Sequence, residues 1–135
     1  MSNIKRYLGE ISEDLGLDGE INETVLAEAT RRMNVEVART IIAGHLTFHN
    51  VSPDSYELID GKEWEGEYGK AALLILIHED PDASAHTNMD GAYNSGGDYS
   101  SYEKLMDDLK NCGLFMEQCT LWYSGIYANQ ALELH

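Results

Sequence analysis

The side chains best suited to chemistry in this chain are three of its five histidines. His45 and His49 are four residues apart in a predicted helix, which places both rings on one face, and two imidazoles so placed can bind a divalent metal. His78 and Asp80 follow the longest apolar run and complete a candidate set of four metal ligands. The zincin motif HExxH is absent because Leu46 follows His45. Histidines at a half-buried helix end also hydrogen-bond the terminal carbonyl groups, so both roles stay open for this pair.

A second pattern of polar residues has part of the spacing of a calcium-binding loop. Side chains with a ligand atom alternate from Asp80 to Asn88. An EF-hand loop needs Gly at its sixth position and Glu at its twelfth, where this chain has Ala85 and Gly91, so that motif is excluded. The chain also lacks GxGxxG and GxxxxGK[ST], and no motif supports nucleotide binding. The role of the predicted loop over residues 79–98 stays open, because loops of this length are either functional or flexible.

Two groups of carboxylates form a candidate surface for binding a partner. They are Glu63, Glu65, Glu67, Glu79, Asp80 and Asp82. The first three alternate along a predicted strand and therefore project from one face about 6.6–7 Å apart. This spacing is close to the distance between phosphates along one strand of DNA, although an ordinary solvated sheet face has the same pattern. The other three come directly after the next predicted strand.

The charge of the whole chain limits its partners. There are 24 acidic residues and 9 basic ones, so the formal net charge is −15. Such a field repels nucleic acid and anionic membrane surfaces. It attracts basic surfaces and speeds association with them. The expected partner is therefore a basic protein, with no direct binding to nucleic acid or to a membrane, although acidity also serves solubility alone.

Apolar residues at helical spacing predict the elements that carry the histidine pair. A first helix over residues 3–15 ends at Gly16, which supplies a left-handed stop. A second helix begins at Asn22 and extends to about His49. It is either one long helix or two helices with a break at Asn34, since Asn tolerates the left-handed conformation.

The middle of the chain predicts a three-strand meander. Residues 55–68 alternate in character and form a hairpin around Asp60-Gly61, with an aromatic core face and an acidic outer face. Residues 71–77 are an uninterrupted apolar run. Gly69 before this run and Pro81 after it favour a central strand, covered on both faces, over a buried helical turn.

The last third of the chain predicts a helix, a strand, a turn and a final strand, at residues 101–111, 114–123, 124–125 and 126–132. Asp98, Ser100 or Ser101 caps the helix, and Gly113 ends it. The resulting fold class is α+β. N-terminal helices and one later helix pack on one face of a mostly antiparallel sheet of about five strands.

Size and composition favour a single domain over residues 1–135, because a chain of this length buries a core without needing a second one. The two cysteines are too few for a disulfide framework, and their spacing matches no zinc motif. The N-terminus lacks the apolar segment of a signal peptide, and the longest apolar run is too short to cross a bilayer. These features indicate a reduced, cytoplasmic protein.

The function favoured by these features is that of a small acidic inhibitor that binds protein and is not an enzyme. It would occupy the basic surface of a nuclease or another nucleic-acid-processing protein, as immunity proteins and phage or plasmid anti-defence proteins do, including those that imitate DNA. The first alternative is a small metal-dependent enzyme or metal-binding protein using His45, His49, His78 and nearby carboxylates, with a divalent metal as its only cofactor. The second alternative is a structural or assembly protein. The oligomeric state stays open.

Overall fold

The computed structural model describes residues 23–66, 68–69, 71–94 and 96–128. The predicted first helix over residues 3–15, the predicted site residue Glu67 and the end of the predicted last strand lie outside these residues. Within the part that the structure describes, the chain combines helices with an antiparallel sheet. The α+β class is therefore confirmed.

The first helix of the described residues, α1, is continuous over Glu23–Phe48. It corresponds to the predicted second helix and has no break at Asn34. The helix ends because Asn50, two residues after Phe48, adopts a left-handed conformation with φ of 61°. The amide of Val51 then donates to the Leu46 carbonyl at 2.9 Å, and this contact satisfies one of the helix's terminal carbonyl groups. The chain divides into two compact units whose boundary lies inside α1, between Val37 and Ala38. The single-domain assignment stays a prediction.

In the first unit, the described part of α1 carries a surface ion-pair network. Glu28 accepts from Arg31 at 2.7 Å and from Arg32 at 3.1 Å, at spacings of three and four residues. Pairs at these spacings stabilise an exposed helix by a few tenths of a kcal/mol, about 0.2–0.5 each.

In the second unit, the described residues form four strands, where about five were predicted. They are β1 (Glu57–Asp60), β2 (Leu74–Ile77), β3 (Leu114–Gln118) and β4 (Tyr123–Ala128), in the order β1-β2-β4-β3 and antiparallel throughout. β2 lies between β1 and β4, so the apolar run does contain a central strand. It is shorter than predicted, because the chain turns at Gly69 (φ 83°) and Ala72 donates to the Gly69 carbonyl at 3.0 Å.

The predicted hairpin around Asp60-Gly61 is wrong. β1 pairs with β2, and the chain after β1 forms a short 3₁₀ turn, Gly61–Glu63, in which Asp60 accepts from the amide of Lys62 at 2.9 Å. Only glycine fits at position 61, because a Cβ there would lie 1.7 Å from the Ala72 carbonyl oxygen. Among the described residues no strand lies between this turn and β2, so Glu63 and Glu65 do not alternate along a strand face.

The chain after this turn covers one face of the sheet. Strand pairing places Ile75 and Tyr123 on this face, where they are buried together with Ala72, and Trp64 packs against them. The Trp64 and Tyr123 rings lie 4.8 Å apart. Trp64 therefore covers this face of the sheet, where its large ring contributes apolar contact area. On the other face, Leu74, Leu76 and Ile126 are fully buried.

The described part of the predicted loop 79–98 is largely helical, and the loop assignment is wrong there. α2 (Pro81–Thr87) and α3 (Met89–Asn94) occupy it. Asp80 caps α2 by accepting from the amide of Asp82 at 2.9 Å, and proline stands in the first turn, where its missing N–H costs nothing. The pair Asp80-Pro81, predicted from the sequence to end the preceding strand, is also a typical helix start.

The last helix, α4 (Ser100–Asn111), confirms the prediction for residues 101–111. Asp98 accepts from the amide of Ser100 at 3.0 Å, and Gly113 has the left-handed φ of 76° that ends the helix. The turn predicted at Ser124-Gly125 is wrong, because both residues lie inside β4. The true turn precedes β4, where the Thr120 hydroxyl accepts from the amides of Trp122 and Tyr123 at 3.2 and 3.3 Å.

Candidate functional site

Three histidines meet around one serine hydroxyl where α1, α2 and α4 come together. The Ser101 Oγ lies 2.8 Å from His86 Nδ1, 3.0 Å from His49 Nε2 and 3.2 Å from His45 Nε2. The His49 and His86 rings are stacked with centroids 4.3 Å apart, and the His45 ring lies edge-on to His49 at 4.8 Å. We call these four residues the histidine–serine cluster.

The contacts of the cluster allow us to assign which nitrogen carries a proton. His45 Nε2 also lies 3.0 Å from the His86 carbonyl oxygen, which can only accept, so His45 Nε2 must be the donor. A hydroxyl donates one hydrogen bond, and N–H···O bonds are typically longer than O–H bonds. We therefore assign the 2.8 Å contact to Ser101 O–H donating to His86 Nδ1, and the 3.0 Å contact to His49 Nε2–H donating to Ser101.

Burial keeps two of these imidazoles neutral. It lowers the pKa of His45, and the neighbouring His49 and His86 lower it further, against a hydrogen bond to the His86 backbone and the charge of Asp108 that raise it. The pKa of His86 is lowered by burial and then by His49, with Asp82 opposing. In the assigned tautomer a neutral His86 has its lone pair on Nδ1, which accepts the Ser101 hydroxyl and can therefore take up its proton.

The cluster opens into a cavity of about 810 Å³ between the C-terminal half of α1 and α4. Ile41, Gly44 and Phe48 contribute an apolar wall, and Lys104 and Asp108 contribute an ion pair of 2.6 Å. A Cβ added at Gly44 would meet no atom within 4 Å. The cavity therefore has room for an apolar group beside the Ser101 hydroxyl.

His78 belongs to a separate, fully buried network. Its Nε2 lies 2.8 Å from the Ser124 hydroxyl and its Nδ1 lies 3.3 Å from the Asn88 amide nitrogen. The Asn88 Oδ1 accepts from the amides of Asp90 and Gly91, so its NH₂ group must face His78. His78 Nδ1 is thus an acceptor and Nε2–H is the donor to Ser124, which makes this histidine structural and unable to act as a base toward that serine.

The structure brings together only part of the predicted metal set. His45 and His49 are adjacent, as their spacing predicted, while His78 is in the buried network and Asp80 caps α2. Over the described ranges, no group of three or more His, Cys, Asp or Glu side chains is arranged to hold a metal ion.

A second feature is an exposed apolar patch at the end of the sheet. Leu121 is 72% exposed, Met89 54% and Trp122 41%. Asn88, one residue before α3, donates to the Leu121 carbonyl at 3.5 Å, so the start of α3 lies beside the turn between β3 and β4. The rings of Trp64 and Trp122 lie 6.1 Å apart. We call Met89, Leu121 and Trp122 the apolar patch.

Both groups of predicted partner-binding carboxylates are next in sequence to residues that lie near this patch. Glu63 and Glu65 flank Trp64, whose ring neighbours Trp122. Glu79, Asp80 and Asp82 follow β2, whose last residue pairs with Tyr123 next to Trp122. All five carboxylates are exposed, while Glu67 lies outside the described residues. The sequence has no Lys or Arg at residues 71–103, so this stretch offers the acidic side chains no internal cation.

Sequence reasoning missed His86 and Ser101 as members of a site. In the sequence, His86 belongs only to the alternating pattern over Asp80–Asn88, and Ser101 only to a helix start. His45 is 41 residues from His86 and 56 from Ser101, so no local pattern could have joined them.

Comparison of the chain with protein-family models, with curated proteins and with solved structures found no match. Within the described residues, no helix is both long enough and apolar enough to cross a membrane.

Proposed function

We propose that the protein binds a basic protein through the apolar patch and the carboxylates around it. The observation that carries this proposal is the exposed Leu121-Trp122 turn beside Met89, bordered by two acidic segments. Protein interfaces combine an apolar and aromatic centre with a polar rim, and tryptophan is frequent among the residues that contribute most to affinity. Large exposed apolar residues in one patch are typical of interaction sites.

The charge of the chain supports a basic partner. A net charge of −15 attracts cationic surfaces over about a Debye length, roughly 8–10 Å at moderate salt. The partner class is a nuclease or another nucleic-acid-processing protein, whose basic surface the protein would occupy as an inhibitor. Support for DNA mimicry comes from charge alone, because Glu63 and Glu65 do not repeat along a strand.

The metal-dependent alternative is less well supported. It depends on His45 and His49, whose ring nitrogens Nε2 both contact the Ser101 hydroxyl. Their third neighbour in the cluster is His86, and the arrangement of the described side chains favours a hydrogen-bonded cluster over a metal site.

The binding proposal is tested by immobilising the chain and applying a nuclease-treated cell lysate at low salt. The retained protein is identified, purified and titrated against the chain. We expect to find a basic nucleic-acid-processing protein whose activity on DNA is inhibited by the chain. The Kd of the complex should rise steeply between about 50 and 300 mM NaCl, because salt screens the attraction between the two charged surfaces. Leu121→Ala should weaken binding about 5- to 30-fold, the effect of losing one or two kcal/mol.

Matched charge variants distinguish binding at the proposed surface from a general effect of the chain's net charge. Glu79→Gln with Asp82→Asn removes two charges beside the patch, and Glu103→Gln with Asp107→Asn removes two exposed charges from α4. The first variant should bind more weakly than the second. Equal affinity of both variants, or retention that Leu121→Ala leaves unchanged, would contradict the proposed surface.

A further inference from the structure

Binding of a partner at the apolar patch, as proposed above, assigns no role to the histidine–serine cluster. It combines three observations that are independent of that proposal. A serine hydroxyl lies within hydrogen-bond reach of an imidazole nitrogen that can accept its proton, two further imidazole nitrogens lie within 3.2 Å of the same oxygen, and a cavity with an apolar wall opens beside them.

We propose that Ser101 is a nucleophile, activated by His86 as general base, that cleaves carboxylic esters with an apolar acyl group. A serine becomes nucleophilic when a base within hydrogen-bond reach removes its proton and another group orients that base. His86 Nδ1 is 2.8 Å from the Ser101 oxygen, and the stacked His49 ring, inclined by only 13°, restricts the plane of His86.

Comparison with two other serines, Ser100 and Ser124, shows what distinguishes the surroundings of Ser101. The Ser100 hydroxyl donates to the Asp98 carboxylate at 2.7 Å, a contact at the start of α4 that offers no proton transfer to an imidazole. The Ser124 hydroxyl is fully buried and accepts from His78, so substrate cannot reach it. Among these three serines, Ser101 alone combines a basic imidazole lone pair with access to the cavity.

The two remaining histidines supply hydrogen-bond donors. His45 Nε2–H and His49 Nε2–H lie 3.2 and 3.0 Å from the Ser101 oxygen. When that oxygen attacks a carbonyl carbon, negative charge develops on the carbonyl oxygen, which is two bonds from Ser101 Oγ, the atom beside which these donors lie. Fixed donors near a developing oxyanion lower the barrier more than solvent does, because they need no reorganisation.

The reaction balances with water as the only other reactant. Ser101 Oγ bonds to the ester carbon while its proton moves to His86 Nδ1. The tetrahedral intermediate then expels the alcohol, which takes this proton. Water attacks the acyl-serine, passes a proton to His86 and releases the carboxylic acid, and His86 returns the proton to Ser101. The acyl group occupies the space beside Ile41, Gly44 and Phe48, which fits an alkyl chain better than a charged group.

Labelling of the full chain with a fluorophosphonate probe tests the nucleophile directly. The probe should attach to Ser101, as shown by peptide mass spectrometry, and Ser101→Ala should abolish labelling while Ser100→Ala keeps it. Absence of labelling in the folded wild-type chain, or unchanged labelling of Ser101→Ala, would overturn the proposal.

Hydrolysis of p-nitrophenyl esters tests the base. His86→Asn retains a polar group near the position of Nδ1 but cannot accept the proton, so kcat should fall about 100-fold or more with little change in KM. His49→Gln retains a donor near the position of Nε2 and should cost less. Equal losses in the two variants would exclude His86 as the specific base.

The pH profile separates catalysis from a structural effect. The groups facing His86 are His45 and His49 from α1, Asp82 on its own helix, and Ser101 from α4. The pKa of His86 is lowered by burial and by His49, so kcat/KM should rise to a plateau with a midpoint below the ordinary value of 6.5. A midpoint above 6.5 would contradict the assignment.

A variant outside the reacting groups tests the acyl site. Gly44→Leu adds a side chain where a Cβ meets no atom within 4 Å. It should reduce kcat/KM for p-nitrophenyl hexanoate at least about 10-fold more than kcat/KM for the acetate, the effect of losing one favourable pocket contact. Equal effects on both esters would show that the acyl group lies elsewhere.

Discussion

Asn88 joins three parts of the buried core through one amide group. Its oxygen accepts from Asp90 and Gly91 and caps α3, while its nitrogen faces His78 Nδ1 and the Leu121 carbonyl. The residue is 2% exposed, so water replaces none of these contacts. A side chain of this kind determines the orientation of its neighbours as well as their stability.

Replacing this residue should therefore cost more than the loss of a helix cap. Asn88→Ala removes the cap of α3, worth about 1 kcal/mol, and leaves His78 Nδ1 buried without a partner, which costs about 1–3 kcal/mol more. We expect the free energy of unfolding in urea to fall by about 2–4 kcal/mol.

Asp80→Ala is the matched control for this prediction. It removes the cap of α2 at an exposed position and touches no buried histidine, so it should cost only about 1 kcal/mol. Similar losses for the two variants would show that the His78 contact contributes little.

At the scale of elements, two glycines in helices have opposite surroundings. Gly44 lies in α1, where an added Cβ meets no atom, and Gly91 lies in α3, where a Cβ would approach the Ser84 carbonyl oxygen to 2.3 Å. Gly91 thus permits the close packing of α2 and α3. Gly44 has no such steric requirement, and it leaves space in the cavity.

The same substitution should therefore change stability in opposite directions. Gly44→Ala should raise the free energy of unfolding by about 0.5–1 kcal/mol, because alanine restricts the unfolded chain and favours the helix. Gly91→Ala should lower it by about 1–3 kcal/mol, because the two helices must move apart. Urea denaturation followed by circular dichroism measures both. Destabilisation by Gly44→Ala would mean that this part of α1 has a hidden packing constraint.

At the scale of the whole molecule, three histidines make stability depend on pH. Burial lowers the pKa values of His45, His78 and His86 below 6.5 in the folded state. Between the folded and unfolded pKa values the unfolded chain binds more protons, so stability is complete above pH 6.5 and decreases as pH falls below it. Carboxylates titrate mainly at lower pH, about 4.

We therefore expect the free energy of unfolding to be constant from pH 8 to 7 and to decrease between pH 6.5 and 5.5. The variant His45→Gln with His86→Asn removes two of the three groups and should show a weaker decrease. Urea titrations at each pH measure both proteins. Equal slopes for the two, or a stability that rises on acidification, would contradict the burial of these histidines in neutral form.

Local patterns predicted those parts of the fold that depend on neighbours in sequence. The central strand, the helix before Gly113 and the placement of His45 and His49 on one helix face all follow from periodicity and from helix-ending residues. The prediction of a strand after Gly61 is wrong because the alternation of apolar and acidic residues there has another cause. Trp64 covers the sheet, and the glutamates beside it are solvated.

By itself, the sequence determined the α+β class, the strong negative charge and the pair of adjacent histidines, because each depends on composition or on short spacing. Only the tertiary structure decided what those histidines do. It brought His86 and Ser101 to His45 and His49, and it separated His78 from them by giving it Asn88 and Ser124 as partners. Contacts between residues 41 to 56 positions apart arise from how helices pack, and no local pattern encodes that packing.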